Sequence, residues 1–398
     1  MVDLSAEQIR LFRLHAHHLD AVCPESETSA LVGACGMQNS PPGTWETALF
    51  NRMPTCSRTK MKELLYTDKI LLQAWSFRGA PVVFPAAESD VFLAALIPEY
   101  DEPWIYTRGI GLALDFLQIP FDELLEGMRC VMPRLDQWTI SSKTALDQTI
   151  ADWMMPFLPA DKQVLWRQPS MYGSPDKQTV GGAVVSFLLR PCALEGRIVF
   201  GRRDGDMANG TGGSPTFTSY RGWTGHEMRL GADAAQKLVR KYLHCYGPAT
   251  VSSFTSWLGC SGRQGRRIWQ SAAQEMEPVM ALGQKAYILS SDKEYFASPA
   301  PLRRELLMLG PHDPYLDQRD RLILQQDKSL HSQIWKNVAN PGAIVYQGEI
   351  VGVWTGKKNG NGIEIKTTWW TARQCEQQFP DLAEAYAAFR GERLMGVE

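Results

Sequence analysis

The stretch ATVSSFTSWLGCSGRQGRRIWQSAAQEM, residues 249–276, predicts two short helices joined by a tight turn. Thr250 is placed to cap the first helix, and Gly259 is placed to end it. Ser261, with Gln264 three residues later, has the spacing of a capping box for the second helix, which we expect to reach the end of the stretch. The stretch therefore has the length and turn chemistry of a helix-turn-helix.

The flanking sequence extends this pattern to a third helix and a pair of strands. A helix is expected over residues 232–246, ending at Gly247-Pro248. Tyr287–Leu289 and Tyr295–Phe296 have the composition of two short strands that would form the wing. Three helices followed by a strand pair predict a winged helix, a fold in which the second helix of the turn enters the DNA major groove.

A similar order of helices and strands recurs earlier in the chain. Helices are expected over residues 5–21, after Ser26, over Trp45–Arg52 and over Met61–Tyr66, and a strand at Val82–Phe84 follows them. A second group of helices, less regular in its order, ends in two strands. These strands are joined by DGDMANGTGG, residues 204–213, a Gly/Asn-rich loop that suits a wing tip. The chain is thus expected to contain more than one winged helix.

The C-terminal region has a different pattern of predicted secondary structure. AIVYQGEIVGVWTGKKNGNGIEIKTTWW, residues 343–370, is a run of short strands, and its Asn-Gly-Asn-Gly turn is a strong hairpin signal. We predict an α+β fold of tandem winged-helix (helix-turn-helix) modules followed by a small antiparallel β-barrel. The predicted domains are a first winged helix, a helical linker with a second winged helix, a third winged helix, and a β-barrel with a C-terminal helix, over residues 1–100, 101–230, 231–304 and 305–398.

Composition limits the class of protein. The chain has 398 residues, of which 44% are hydrophobic and 21% are charged, as in folded globular proteins. No apolar run approaches the roughly 18 residues that a membrane-spanning helix needs. The N-terminus lacks the pattern of a secretory signal, so we expect a cytoplasmic protein without membrane contacts. The net charge of −2 means that any DNA-binding footprint must be local.

Motifs for several other chemistries are absent from the sequence. There is no phosphate-binding Walker sequence, no dinucleotide-binding glycine pattern, no nucleophile elbow and no zinc-protease helix motif. The eight cysteines are scattered without a Cys-x-x-Cys pair, and we interpret them as reduced thiols. His15, His17 and His18 have no carboxylate or thiolate beside them in sequence. We therefore expect neither a metal nor an organic cofactor.

Two groups of basic residues are candidates for DNA contact. Arg263, Arg266 and Arg267 share one face near the start of the second helix of the turn, where a recognition helix reaches bases or phosphates. They could equally form a solvated face on a module that serves only as scaffold. Lys357 and Lys358 lie beside the predicted hairpin turn, where they could contact a phosphate or simply keep an exposed hairpin soluble.

The loop GMQNSPPG, residues 36–43, places three hydrogen-bonding side chains before a double proline. Gln38, Asn39 and Ser40 could orient a substrate or a water. An amide is neutral, so Gln38 cannot act as a general base; it can only position a nucleophile or bind a base edge. From spacing alone, a loop of helix-capping residues is the better interpretation.

The segment PHDPYLDQRDR, residues 311–321, alternates acidic and basic side chains. Such alternation is more typical of an ion-pair network between modules than of a catalytic dyad. We therefore predict that this segment forms an internal salt-bridge network between modules.

With these segments in view, the chain resembles the winged-helix DNA-binding proteins that include the AlkZ/YcaQ-like DNA glycosylases. Five segments carry the resemblance in the family's order, and they cover most of the chain. They are ACGMQNSPPGTWETALFNR (34–52), LLQAWSFRGAPVVFPA (71–86), LVRKYLHCYGPATVSSFTSWLG (238–259), LGPHDPYLDQRDR (309–321) and GAIVYQGEIVGVWTGKK (342–358).

The resemblance implies a cleft around duplex DNA and removal of N-alkylated purines, in some members also unhooking of interstrand crosslinks. The family's catalytic element is a Gln-x-Gln or Gln-x-Asp motif. Its first position matches Gln38 and its second falls on Ser40, with Asn39 between them. The serine departs from the family pattern, which implies a different substrate, a weaker catalyst, or a relative that has lost the chemistry.

Three hypotheses follow. The first is a DNA glycosylase for alkylated bases, with Gln38 and Ser40 positioning the hydrolytic water. The second is a non-catalytic, regulatory winged-helix protein that binds double-stranded DNA through Arg263, Arg266 and Arg267. The third is a structural or protein-interaction module. We expect a monomer, because a chain with three winged helices can surround DNA alone.

Overall fold

The computed structural model describes residues 2–173, 175–205, 213–317, 320–336 and 338–398. Helices and strands alternate along the chain, which confirms the α+β class. The helices are α1 (Ala6–Ala16), α2 (Thr28–Gly33), α3 (Thr44–Arg52), α4 (Arg58–Tyr66), α5 (Ser89–Phe92), α6 (Gly111–Leu117), α7 (Phe121–Val131), α8 (Lys143–Met154), α9 (Ala160–Trp166), α10 (Val180–Leu194), α11 (Tyr220–Thr224), α12 (Ala234–Tyr246), α13 (Val251–Leu258), α14 (Gly262–Gln270), α15 (Lys293–Ala297), α16 (His331–Ile334) and α17 (Phe379–Arg390).

The strands form four small sheets, whose orders are β1-β8-β9, β2-β4-β3, β5-β7-β6 and β10-β11-β12-β13-β14. The strands are β1 (Asp3–Leu4), β2 (Met37–Gln38), β3 (Leu71–Trp75), β4 (Pro81–Pro85), β5 (Ile140–Ser141), β6 (Val199–Phe200), β7 (Thr216–Thr218), β8 (Met276–Ala281), β9 (Gln284–Leu289), β10 (Leu306–Leu309), β11 (Gly342–Tyr346), β12 (Glu349–Asn359), β13 (Gly362–Trp369) and β14 (Arg393–Val397). Of the predicted loop at 204–213, residues 206–212 lie outside the described residues.

The helices α12, α13 and α14 follow one another as the sequence predicts, and the hairpin β8-β9 comes after them. The side chains of Thr250 and Ser261 accept hydrogen bonds from the amides of Ser253 and Gln264, which confirms both caps. The predicted capping box is wrong, because the Gln264 side chain donates instead to the buried carbonyl of Leu96 at 2.8 Å. This bond ties α14 to the preceding part of the chain.

The predicted limits of the last helix and of the strands in this region are also wrong. Helix α14 ends at Gln270, and Met276 begins the first strand of the hairpin. The expected strand Tyr295–Phe296 instead belongs to α15, where Phe296 turns inward and packs on Phe12 of α1 at 3.9 Å between ring centroids. Burial of this aromatic pair favours the helix over an extended edge.

The N-terminal segment packs against distant parts of the chain. Strand β1 pairs in parallel with β8, and helix α1 contacts α12 and α15. The start of the chain therefore lies beside elements some 230 to 290 positions further on.

The C-terminal sheet contains the predicted hairpin, with Asn359 opposite Gly362 at its turn. The sheet differs from a small antiparallel barrel in two respects. Strand β14 pairs in parallel with β13, and in the sheet as described β10 and β14 are its two edges. The last helix, α17, packs on one face through Phe379, Ala383 and Tyr386, because an open sheet must cover its apolar side.

No helix within the described residues is both long and apolar enough to cross a bilayer.

Candidate functional site

Gln38 ends the short strand β2, opposite Val82 of β4. Its half-buried side chain reaches a narrow cavity of about 70 Å³, which has room for a few water molecules. The aromatic residues of the wall are Phe77, Tyr246, Trp257 and Trp335, and the charged or ionisable ones include Arg78, His312 and Asp317. Strand β2, the turn after β3, the helices α12 and α13, and the segment 311–317 thus meet at one point.

The amide group of Gln38 has a defined orientation. Its Nε2 donates to the carbonyl oxygen of Ser40 at 2.9 Å and lies 3.5 Å from Nδ1 of His312. Within the described part of the chain, no donor contacts its Oε1. The amide oxygen is therefore able to accept a hydrogen bond from a water or a ligand in the cavity.

Asn39 and Ser40 occupy different environments from Gln38. The buried amide of Asn39 donates to Oε1 of Gln73 at 3.0 Å and accepts from the amide of Gly43 at 2.7 Å. Asn39 thus fixes the loop from behind. Ser40 is exposed and is not part of the cavity wall. Of the three predicted residues, only Gln38 faces the cavity.

His312 is a residue that the sequence analysis did not single out as part of the site. Its ring is partly buried against Gln38, and burial lowers the pKa of His312 below its usual range. The neutral ring can accept from the Gln38 amide through Nδ1, which leaves the proton on Nε2. The unusual density of polar residues after Gly310 was the available signal, but nothing local related it to position 38.

Arg78 was also missed. Its guanidinium group forms an ion pair with Asp317 at 2.6 Å and donates to the carbonyl of Trp257, also at 2.6 Å. The pair is partly exposed at the cavity wall. Arg78 therefore joins the β3-β4 turn, α13 and the segment 311–317 around the cavity, and its charge remains close to any bound ligand.

The predicted ion-pair network in segment 311–321 is confirmed. Asp313 pairs with Arg52 of α3 through two hydrogen bonds of 2.9 and 3.0 Å, and both side chains are buried. Asp320 forms a similar two-bond pair with the buried Arg13 of α1. These bonds fix the segment that carries His312 to two N-terminal helices.

The predicted DNA-contacting arginines of α14 have different surroundings. Arg267 binds Glu99 at 2.8 Å and Glu102 at 2.7 Å, and Arg263 forms an ion pair with Asp101. Arg266 is exposed, and no described residue forms a hydrogen bond or ion pair with it. Of the three arginines, Arg266 is therefore the one that can contact DNA without the loss of an ion pair to a described residue.

Lys357 and Lys358 are exposed on β12 near the hairpin turn, and Lys358 approaches Glu392 at 3.5 Å. Neither lysine lines the Gln38 cavity. The structure thus brings Gln38 together with His312 and Arg78, and it does not bring the predicted basic residues to the same cavity.

A family model described as "DNA glycosylase AlkZ-like" matches residues 32–389. A curated relative, an interstrand DNA cross-link repair glycosylase of Streptomyces sahachiroi, is 23% identical over 362 residues, with 88% of this chain and 87% of the relative covered. The solved structure of Streptomyces sahachiroi DNA glycosylase AlkZ has a similar fold, with a TM-score of 0.74, 22% identity and complete coverage of both chains. Since the family model spans almost all of the sequence, the chain belongs to the AlkZ-like DNA glycosylase family.

Proposed function

We propose that this protein hydrolyses the N-glycosidic bond of alkylated bases in duplex DNA. In this proposal Gln38 orients the hydrolytic water, and the helix and strand successions described above act as tandem winged helices that hold the DNA. We expect the chain to act as a monomer. The observation that carries the proposal is the Gln38 amide, held by Ser40 and His312 with its oxygen available in an aromatic cavity.

The reaction does not require a strong general base. A purine alkylated at N7 or N3 is positively charged and is a good leaving group, and its glycosidic bond breaks through an oxocarbenium-like transition state. The enzyme has to hold the base and place a water near the sugar carbon. A water that donates to Oε1 of Gln38 has its lone pairs free to face that carbon. The amide itself remains neutral throughout.

Aromatic rings form part of the wall of this cavity, which has room for water, so an alkylated base would lie at its mouth. Phe77 and Trp257 stack on each other with their ring centroids 4.4 Å apart, and the ring of Tyr246 packs against Trp257 at 5.7 Å, tilted by 51°. Aromatic rings attract cations that lie over their faces, and bases removed from a duplex are commonly held by such rings. Since a named relative repairs interstrand crosslinks, crosslinked bases are a further substrate class to test.

The test is release of N7-methylguanine from a duplex that carries one such base, comparing the wild type with Gln38→Ala. Loss of a positioned hydrogen-bonding group costs on the order of 2–4 kcal/mol in the transition state, which corresponds to about a 30- to 900-fold lower rate. The matched control is Gln377→Ala, which removes an exposed glutamine outside the cavity and should retain the wild-type rate. Equal rates for wild type and Gln38→Ala would refute the role of Gln38.

A second candidate, a non-catalytic DNA-binding protein, is favoured by one observation. Ser40, at the second position of the motif, is exposed and lies outside the cavity wall. This candidate predicts salt-sensitive binding of undamaged duplex without base release from methylated or crosslinked DNA. Release by the wild type with unchanged activity of Ser40→Ala would exclude it and would assign the water-positioning role to Gln38 alone.

A further inference from the structure

Behind the Gln38 loop, three side chains with metal-binding atoms converge from distant parts of the sequence. His17 follows α1, Cys35 lies between α2 and β2, and Cys245 belongs to α12. The two sulfur atoms and one ring nitrogen all lie within 4.8 Å of one another. The separation of Cys35 Sγ from Nδ1 of His17 is 3.9 Å.

All three residues are buried, with exposed fractions of 1% for His17, 4% for Cys35 and 0% for Cys245. The His17 ring is oriented by T-shaped contacts with Tyr246 and Tyr315, at 5.1 and 5.5 Å between centroids. No described residue forms a hydrogen bond with its Nε2. The ring nitrogen that faces Cys35 Sγ is Nδ1, and histidine can bind a metal through this nitrogen.

The separation of Cys35 Sγ from Nδ1 of His17 is close to that in a tetrahedral zinc site, and the two distances to Cys245 Sγ are at most 4.8 Å. Zinc binds sulfur at about 2.3 Å and imidazole nitrogen at about 2.0–2.1 Å, so ligand atoms in a tetrahedron lie about 3.6–3.8 Å apart. The observed 3.9 Å from Cys35 Sγ to His17 Nδ1 requires a contraction of only a few tenths of an ångström. Rotation of the side chains is sufficient for such a movement.

We propose that His17, Cys35 and Cys245 bind a zinc ion. The donor set of two cysteines and one histidine is one that zinc uses in proteins. Two thiolates neutralise the charge of a divalent ion, which reduces the cost of placing it in a buried position. The neighbouring guanidinium of Arg52 is already balanced by Asp313, so it does not need a thiolate as a counter-ion.

A water completes the coordination. The hydroxyl of Tyr246 lies 3.6 Å from Cys35 Sγ, but it donates to the carbonyl of Pro314 at 3.0 Å. Because the hydroxyl already donates to this carbonyl, it is a poor ligand for the ion. Cys35 and Tyr246 also line the Gln38 cavity, which gives water a route to the fourth position.

The ion would fix the start of the Gln38 loop in position. Cys35 precedes Gln38 by three residues, and its ligand partners come from the end of α1 and from α12. One bound ion would therefore add a further link between three segments that Arg13 and Lys241 already connect, through hydrogen bonds to the carbonyls of Tyr246 and Gly33. This role does not depend on the glycosylase reaction, so the site can be tested without any DNA substrate.

The experiment is a titration of the full-length, reduced and chelator-treated protein with Co²⁺, a spectroscopic substitute for zinc. We expect uptake of one equivalent with thiolate-to-cobalt charge-transfer absorption, and loss of that absorption when Zn²⁺ is added. Zinc at about a hundredfold excess over its Kd should raise the Tm by about 3 °C for a chain of this length. Cys245→Ser should abolish the absorption, whereas Cys192→Ser, a matched buried cysteine on α10, should retain it.

The proposal is overturned if the folded wild type shows no charge-transfer absorption at stoichiometric cobalt, or if Cys245→Ser binds as the wild type does. It is equally overturned if thiol counting under denaturing conditions finds a disulfide between Cys35 and Cys245 in protein purified without oxidant. If Cys245→Ser fails to fold, His17→Asn serves instead. That variant retains both thiols and should bind cobalt at least tenfold more weakly.

Discussion

The ion pair of Arg52 and Asp313 allows a direct test of what holds the candidate site together. Both side chains are 1% exposed, and two hydrogen bonds of 2.9 and 3.0 Å join them. Arg52 also donates to the carbonyls of His17 and Ala48. Asp313→Ala leaves the guanidinium buried without its counter-charge, since the arginine cannot lose its proton.

The expected loss can be worked out from these contacts. Each hydrogen bond to a charged group contributes about 1.5–3 kcal/mol, and removing one partner of a buried ion pair costs about 3–5 kcal/mol overall. The amide of Tyr315 also loses its acceptor on Asp313. We therefore expect Asp313→Ala to lower the free energy of unfolding by about 3–5 kcal/mol. Asp313→Asn should cost less, because it keeps an acceptor and removes only the charge.

The assay is denaturant unfolding followed by circular dichroism, with thermal unfolding as a second measurement. The matched control is Asp161→Ala, whose carboxylate is 74% exposed and should change stability by less than about 0.5 kcal/mol. A loss below about 1 kcal/mol for Asp313→Ala would refute the reasoning, because it would mean that Arg52 finds water or another acceptor at little cost.

Two further predictions concern acid sensitivity and DNA binding. Burial lowers the pKa of His18 to about 4, so the folded protein binds fewer protons than the unfolded chain and its stability should fall as the pH drops from about 6.5 to about 4. His18→Asn should lose less Tm than the wild type over that range, and asparagine suits the positive φ of 55° at this position. The control His226→Asn, at an exposed position, should lose as much Tm as the wild type. Equal losses in all three proteins would contradict this prediction. Arg266→Ala should weaken binding to duplex DNA and reduce its salt dependence, because this side chain is exposed and unpaired among the described residues. Arg267→Ala should mainly lower the Tm, since Arg267 is bound to Glu102; weaker DNA binding by Arg267→Ala alone would reverse the assignment.

The sequence by itself determined the local structure of the helix pair α13 and α14 and of the C-terminal hairpin. The caps at Thr250 and Ser261 and the turn at residues 359–362 depend on hydrogen bonds and backbone angles within a few residues. Such features form wherever the same residues occur in the same order. The family resemblance rests on matching segments of the same kind, and the family model bears it out.

The predictions that were wrong concern residues whose contacts with distant parts of the chain compete with their local conformational preferences. Gln264 has the spacing of a capping box, yet its side chain donates to Leu96, 168 positions away. Phe296 is a residue type that favours strands, yet it packs against Phe12 and lies in a helix. A buried acceptor or an aromatic partner outweighs the few tenths of a kcal/mol to about 1 kcal/mol that local propensities contribute.

The composition of the candidate site was decided by tertiary structure alone. Gln38 meets His312 across 274 positions of sequence, and His17 and Cys35 meet Cys245 across more than 200. No spacing rule relates such residues, because their proximity depends on how α1, α12 and segment 311–317 pack around one core. The loop around Gln38 was recognisable from its sequence, but the residues that complete the site were recognisable only once the chain was folded.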